Sequence, residues 1–220
     1  MTAQAANAQK ATTKDRLLAE AARCFADNGF HGTSMTDIER GVGIKRGALY
    51  YHISSKEELL YEVSVRHVHE AIATAESIVA SIADPVEQLR EIARKHVELV
   101  GNRRVECIVW LRESHALSGA YGERVNELRA DYEELVAATF RRAVRRRQLR
   151  NITPVVIKGF IGLIGFSVLW VDPDGPKSAE AIADELVDMA LYGALTDAAR
   201  AQKPRPRRRR AAKPTNDADR

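Results

Sequence analysis

A segment between residues 45 and 56 combines cationic, aromatic and very small side chains in a pattern that suits contact with DNA. Arg46 can offer a guanidinium fork to the O6 and N7 atoms of guanine. Gly47 and Ala48 follow directly, and their small size would let the backbone approach the floor of a groove. Hydroxyl, imidazole and ammonium groups nearby suit phosphate oxygens. The predicted DNA contacts are Thr36, Lys45, Arg46, Gly47, Ala48, Tyr50, Tyr51, His52 and Lys56.

Two short helices joined by a glycine are expected to hold these residues. Ser34 is placed to cap the first helix, and Gly43 allows the turn that ends it. The second helix is predicted over residues 45–52, with Leu49 and Ile53 one turn apart on its buried face. This is a helix-turn-helix arrangement, in which the second helix enters the major groove with its leading residues toward the bases.

These side chains also have ordinary structural alternatives. Tyr50 and Tyr51 could be core aromatics, and Arg46 could be a solvated charge. Any one of the residues taken singly favours the structural alternative. Their combination on two helices of this length favours DNA contact.

The rest of the chain predicts an all-α protein, because its apolar residues recur with helical spacing and no useful stretch alternates with the period of a strand. Helix starts are indicated at Ser55 and at Asp84-Pro85. We expect an N-terminal three-helix DNA-binding domain and a C-terminal helical domain for ligand binding and dimerisation. The predicted boundaries are 1–12 for a disordered N-terminus, 13–56 for the helix-turn-helix domain, 57–199 for the ligand-binding and dimerisation domain, and 200–220 for a disordered tail.

Composition excludes several classes of protein. The 220 residues are 45% hydrophobic, which is enough for a buried core. The chain has no apolar run long enough to span a bilayer and no signal peptide pattern at its start. We therefore predict a cytoplasmic protein without a membrane partner. Cys24 and Cys107 form no motif and are expected to remain thiols.

The basic charge of the chain is concentrated at its C-terminus. Nine of the 34 Lys and Arg residues, but two of the 30 Asp and Glu residues, lie from Arg200 onward. The preceding body is therefore slightly acidic, and the high isoelectric point is not by itself an argument for DNA binding. The tail could be a non-specific phosphate-binding arm or a solubilising extension.

Catalytic and metal-binding motifs are missing from the sequence. It contains no nucleophile elbow, no zinc-binding H-E-x-x-H and no Walker loop. His67 and His69 are two residues apart, so on a helix they point to different sides. We predict no enzymatic activity, no metal site and no cofactor. A redox sensor using Cys24 or Cys107 is a weaker alternative, because Cys24 falls on an apolar helix face.

Several of these motifs resemble the signature of the tetracycline-repressor (TetR) family. The resemblance lies in TSMTDI at residues 33–38, GALYYH at 47–52 and SKEEL at 55–59, and it covers about residues 13–60. It implies nine or more helices, a homodimer built largely from the last two, and a small-molecule cavity in the C-terminal body. By position, it assigns DNA contact to the same residues except Lys45. Glu39 and Ile53 depart from the Ala and Phe that are usual in the family.

Residues 170–193 resemble the C-terminal end of TetR-family repressors of fatty-acid and steroid-ring degradation, which respond to coenzyme A thioesters. The resemblance implies a repressor that a small apolar effector, an acyl-coenzyme A, releases from a palindromic operator. A constitutive DNA-binding protein and a response to another hydrophobic compound remain alternatives. The predicted ligand contacts are Trp110, Leu111, Phe140, Arg141, Arg145, Phe160, Phe166 and Trp170.

Each of these ligand contacts has an alternative role. The arginines near the end of a long helix could simply complement its dipole, and the aromatic residues could be plain core. Gly162 and Gly165 lie one turn apart in an apolar helix. We predict that this helix and the last one form the dimer surface, with intramolecular core packing as the alternative.

Overall fold

The computed structural model describes residues 12–150 and 152–192, and within these ranges the chain forms nine α-helices and no β-strand. This confirms the predicted all-α class. The predicted disordered tail lies outside the described residues, as does the N-terminal segment up to residue 11. The helices are α1 (Thr13–Gly32), α2 (Met35–Val42), α3 (Arg46–His52), α4 (Lys56–Ser81), α5 (Pro85–Asn102), α6 (Arg104–Glu113), α7 (Gly119–Arg145), α8 (Pro154–Gly165) and α9 (Ala179–Tyr192).

Several helices begin where the sequence offers a capping side chain. The Ser34 side chain accepts a hydrogen bond from a backbone amide of α2, and Ser55 does the same for α4. Asp84 caps α5 and is followed by Pro85 in its first turn. Each such cap contributes about 1 kcal/mol to helix stability. These local signals are the reason that the helix starts could be predicted.

Two helices end irregularly. Gly29 does not end α1 but kinks it with a φ of 72°, after which helical hydrogen bonding resumes up to Gly32. The apolar helix α8 ends at Gly165 and continues as a 3₁₀ turn, Phe166–Leu169. Gly29 is the local break in helical geometry, whereas Gly165 keeps a helical φ of −71° and ψ of −44°. In both places the following residues still find carbonyl partners.

The core has two main clusters that α4 connects. The first joins α1, α2 and α3 to the start of α4 through residues such as Phe25, Ile38 and Leu49. The second joins α5, α7, α8 and α9 around Phe140 and Phe160. Burying one such side chain contributes about 1.5–3 kcal/mol. Over the described ranges, no helix has the length and hydropathy needed to cross a bilayer.

Candidate functional site

Helix α3 is anchored on one face and open on the other. Leu49 and Ile53 are each 1% exposed within the N-terminal core. On the outer face, Tyr51 is 86% exposed, and a Cβ atom built on Gly47 would meet no other atom within 4 Å. Lys45 precedes the helix as its N-cap residue without using its side chain as a cap. The leading edge of α3 is therefore free to approach another molecule.

The exposed side chains of α3 are partly organised by contacts among themselves. The Arg46 guanidinium carbon lies 5.6 Å from the centre of the Tyr50 ring, a geometry that favours a cation–π interaction. The Tyr51 and His52 rings meet edge to face at 5.2 Å. Tyr50 and Tyr51 are both exposed, so neither is a core aromatic. Thr36, Lys45, Arg46, Gly47 and Ala48 are also exposed.

Lys56 differs from the other eight predicted DNA contacts. Its ammonium donates hydrogen bonds of 2.9 Å to the carbonyl oxygens of Phe30 and Thr33. It also lies 4.4 Å from the centre of the Phe30 ring. An ammonium engaged by two carbonyls and an aromatic face is poorly placed to bind a phosphate. These contacts favour a structural role for Lys56, which sequence spacing could not reveal, over the predicted phosphate contact.

The backbone of Phe30 is held at both its N–H and its carbonyl group. Its N–H donates a 2.9 Å hydrogen bond to the Glu113 carboxylate at the end of α6, and its carbonyl accepts from Lys56 at the start of α4. Thr33 and Ser34 lie three and four residues further on and lead into α2. We call Phe30, Lys56 and Glu113 the Phe30 clamp. This clamp connects the kinked end of α1 to the start of α4 and to the end of α6.

A cavity of about 340 Å³ lies in the body between α4, α5, α6, α7 and α8. This volume is near the lower end of the range of about 300–1,000 Å³ that small-molecule sites occupy. Its walls are mainly apolar. Among the lining side chains are Val68, Leu99, Val100, Trp110, Leu111, Ile161, Phe166 and Val168.

The cavity contains three of the eight predicted ligand contacts, namely Trp110, Leu111 and Phe166. Phe140 and Phe160 are instead fully buried and pack against each other in the second core cluster. Trp170 lines a separate shallow cavity beside the loop before α9. None of these three residues lines the central cavity. The sequence could not show this, because an aromatic residue in a neighbouring core or at the surface follows the same pattern as one that lines a cavity.

Arg141 and Arg145 also lie away from the cavity. Arg141 is exposed and pairs with Glu134. The cavity reaches α7 at Arg129, Tyr132 and Glu133, and eight residues of helix from Glu133 to Arg141 correspond to about 12 Å. The cations at the cavity are Arg129 and Lys158, which the sequence reasoning missed. The sequence reasoning missed them because a cation beside a cavity has the same helical spacing as a cation on the surface.

Two histidines give the cavity a neutral polar lining. His67 is 7% exposed, its Nδ1 has no hydrogen-bond partner, and its ring meets Trp110 edge to face at 5.6 Å. His96 Nδ1 shares a 2.9 Å hydrogen bond with the Tyr132 hydroxyl. Burial lowers the pKa of His67 to about 3 and that of His96 to about 4. Both imidazoles are therefore uncharged at neutral pH.

The charged groups around the cavity contact other side chains, and the cavity's thiol is buried. Lys158 and Glu133 form a 2.8 Å ion pair. The Arg129 guanidinium carbon lies 5.1 Å from the centre of a Trp110 ring. Cys107 lines the cavity, and burial raises the pKa of its thiol to about 12. A thiol that stays protonated is a weak nucleophile, which argues against a redox role for Cys107.

The unpaired His67 predicts a measurable loss of stability in acid. Its ordinary pKa of about 6.5 applies to the unfolded chain, so the unfolded chain takes up the proton first as the pH falls. The stabilisation present above pH 6.5 is therefore lost progressively as the pH falls toward the folded pKa. We expect His67 alone to lower the free energy of unfolding by about 2–3 kcal/mol between pH 6.5 and 4.5.

His67→Phe is the variant for this measurement, because phenylalanine keeps an aromatic ring against Trp110 but does not titrate. Urea unfolding at a series of pH values should show a shallower acid dependence for the variant than for the unaltered protein. His96 is present in both proteins, so the difference isolates His67. Equal acid dependence in the two proteins would show that His67 is not buried in the neutral form.

Gly162 and Gly165 face the interior of the body and not a surface that a second chain could contact. Both line the cavity, and a Cβ on Gly165 would lie 3.9 Å from His96 Nε2. The missing side chains thus make room inside the body. Exposed apolar side chains do occur on α8 and α9 and on the turn after α8, and they include Val155, which is 78% exposed, together with Phe166, Met189 and Tyr192.

Two family models match this chain. The model of bacterial regulatory proteins of the tetR family matches residues 17–63, and that of the tetracyclin repressor-like C-terminal domain matches residues 83–194. The transcriptional repressor KstR2 of Mycolicibacterium smegmatis is 27% identical over 188 residues, which is 84% of this chain and 92% of that protein.

Solved structures are similar over the same extent. The TetR-family regulator PfmR from Thermus thermophilus has a TM-score of 0.76 and 31% identity, and the match covers 83% of this chain and all of that one. AibR, solved in complex with isovaleryl coenzyme A and operator DNA, has a TM-score of 0.73 and 30% identity over 84% of this chain and all of that one.

The exposed α3 on an all-helical scaffold is the arrangement of a helix-turn-helix protein, and the family models and the relative KstR2 are those of transcriptional regulators and not of enzymes. The chain belongs to the TetR family of transcriptional regulators, because models of both its N-terminal and its C-terminal domain match. This confirms the family that the motifs at residues 33–59 indicated.

Proposed function

We propose that the protein is a cytoplasmic homodimeric repressor that binds a palindromic operator and releases it when an acyl-coenzyme A enters the cavity. The observation that carries the proposal is the open leading edge of α3 on the same chain as an apolar cavity. The effector prefers a conformation in which the two DNA-binding heads are wrongly spaced. Its differential affinity for that state releases the DNA.

The DNA contacts in this proposal are exposed and half-exposed groups at and before α3. Arg46 reads guanine through its guanidinium fork, and Ala48 contacts a thymine methyl group. Thr36, Tyr50 and His52 bind phosphate oxygens. In a homodimer, the two copies of α3 enter major grooves about 34–36 Å apart, which requires a palindromic site.

The effector class is proposed from the cavity together with a relative. AibR, 30% identical to this chain, is described in complex with isovaleryl coenzyme A. A cavity of about 340 Å³ is small for a whole coenzyme A thioester. We therefore infer that the acyl group enters the cavity while the nucleotide stays outside, near the positive charge of Arg129. Lys158 can add to this charge only by exchanging its ion pair with Glu133 for a phosphate.

Dimerisation is proposed through α8 and α9, which pack against each other and carry exposed apolar side chains. Val155 and Met189 are examples on the two helices. An apolar centre is typical of homodimer interfaces. This surface replaces the Gly162 face as the proposed contact, since that face is turned to the cavity.

Selection of binding sites from a pool of random duplex DNA tests the proposal. We expect a palindromic sequence bound by two chains, as measured by analytical ultracentrifugation of the selected complex. Acyl-coenzyme A compounds of different chain lengths are then added while the anisotropy of the labelled operator is followed. Binding without sequence preference would identify a constitutive non-specific DNA-binding protein. Release by none of the thioesters would contradict the proposed effector class.

A further inference from the structure

A second, smaller cavity adjoins the first one inside the body. It has a volume of about 140 Å³ and lies between α4 and α5, with one residue from α7. Four residues line both cavities, namely Ala71, His96, Leu99 and Tyr132. The two spaces therefore meet at a thin wall made of these side chains.

The wall is held together by a hydrogen bond between helices. The His96 ring on α5 and the Tyr132 ring on α7 have their centres 5.6 Å apart, and His96 Nδ1 lies 2.9 Å from the Tyr132 hydroxyl. Gly165 on α8 stands behind His96, with its ideal Cβ position 3.9 Å from His96 Nε2. The hydrogen bond between α5 and α7 thus holds the His96 ring in place, while Gly165 leaves open space beside it.

The space beyond the wall could hold a further length of apolar chain. Its inner part is lined by Ala75, Ile78 and Ile92. Its outer part carries polar groups, including Lys95 and Glu98, which form a 2.9 Å ion pair on the surface. An alkyl chain that passed the wall would find apolar surface before it reached this polar rim.

We propose that His96 and Tyr132 form a partition that limits the length of the acyl group the central cavity accepts. Acyl groups that end before the partition bind, and longer unbranched ones are excluded because the two rings block the second cavity. The effector is then a coenzyme A thioester of a short or branched acid. This inference rests on the proposed function and specifies the substrate class of the same site.

Calorimetric titration with coenzyme A thioesters from butyryl to palmitoyl measures the length limit directly. For the unaltered protein, we expect affinity to rise with chain length because each methylene buries apolar surface, and then to fall abruptly. His96→Ala removes one side of the partition. It should bind the first excluded thioester at least about tenfold more tightly than the unaltered protein does, since a methylene that fits is worth about tenfold or more.

Two further variants separate the partition from a general change in cavity size. Leu99→Ala opens the same wall by removing a different side chain. It replaces His96→Ala if that variant folds poorly. Operator binding and the melting temperature show whether each variant is folded. Ile161→Ala is the matched control, because Ile161 lines the central cavity but not the second one. It should admit bulkier branched acyl groups without moving the length limit.

The outcomes distinguish this inference from the proposed function. If no thioester binds the unaltered protein, the proposed effector class is wrong. If thioesters bind with no length limit, or if the limit is the same in His96→Ala and Leu99→Ala as in the unaltered protein, the partition is overturned while the effector class stands. A shift of the limit in Ile161→Ala equal to that in His96→Ala would also overturn it.

Discussion

Replacing Arg46 with alanine is expected to weaken binding to the selected operator by about 1–3 kcal/mol, while binding to unrelated duplex changes little. The reason is that a bidentate guanidinium contact distinguishes guanine from the other bases, whereas non-specific affinity comes from the sum of many phosphate contacts. The loss should fall on one base position in each half-site. Titration of operator variants substituted at single positions measures it.

Arg46→Lys is the informative companion variant. Lysine keeps the positive charge but lacks the planar fork, so it should retain non-specific affinity and lose most of the base discrimination. Arg150→Ala removes an exposed cation from the segment between α7 and α8, outside the Phe30 clamp, and is the control for net charge. Equal weakening of operator and random DNA by Arg46→Ala would mean that Arg46 contacts phosphate and does not read a base.

Replacing Lys56 with methionine is expected to destabilise the protein by about 2–4 kcal/mol, because two charge-assisted hydrogen bonds and a cation–π contact are lost. Lys56 bonds the carbonyls of Phe30 and Thr33, so its removal loosens the Phe30 clamp at the entry to α2. Operator affinity should fall for all sequences alike, since the position of the whole helix-turn-helix is less well defined. Urea unfolding and operator titration measure the two effects.

The salt dependence of DNA binding separates this structural role from a direct phosphate contact. A lost phosphate contact would make the plot of log binding constant against log salt concentration shallower by about 0.9. The Phe30 clamp predicts an unchanged slope together with reduced stability. A shallower slope with unchanged stability would restore Lys56 to the DNA contacts.

The helix-turn-helix could be predicted from the sequence because its determinants are local. Caps such as Ser34, the glycine at Gly43 and the buried pair Leu49 and Ile53 all act within one or two turns. These signals also fix which face of α3 stays exposed. Lys56 is the exception among the predicted contacts, because its partners come from the end of α1 and no local pattern reveals them.

The cavity could not be predicted in the same way, because its residues come from five helices that only tertiary packing brings together. His67 and His96 are far apart in sequence and carry no motif, yet both line one space. Phe140 has the same helical pattern as a cavity residue but packs into the core. Gly162 shows the same ambiguity, since a small side chain permits either close helix approach or internal space.

The central claim of this account is that occupation of the cavity and release of DNA are linked. Trp110 lines the cavity and Trp170 does not, so a Trp170→Phe protein whose operator affinity matches that of the unaltered protein reports on the cavity by fluorescence. The operator complex of this protein is titrated with the thioester that binds most tightly, while Trp110 fluorescence and operator anisotropy are followed together. We predict that both signals change with the same midpoint and that operator weakens thioester binding by the factor by which thioester weakens operator binding. Saturation of the Trp110 signal while the operator stays bound would contradict the account.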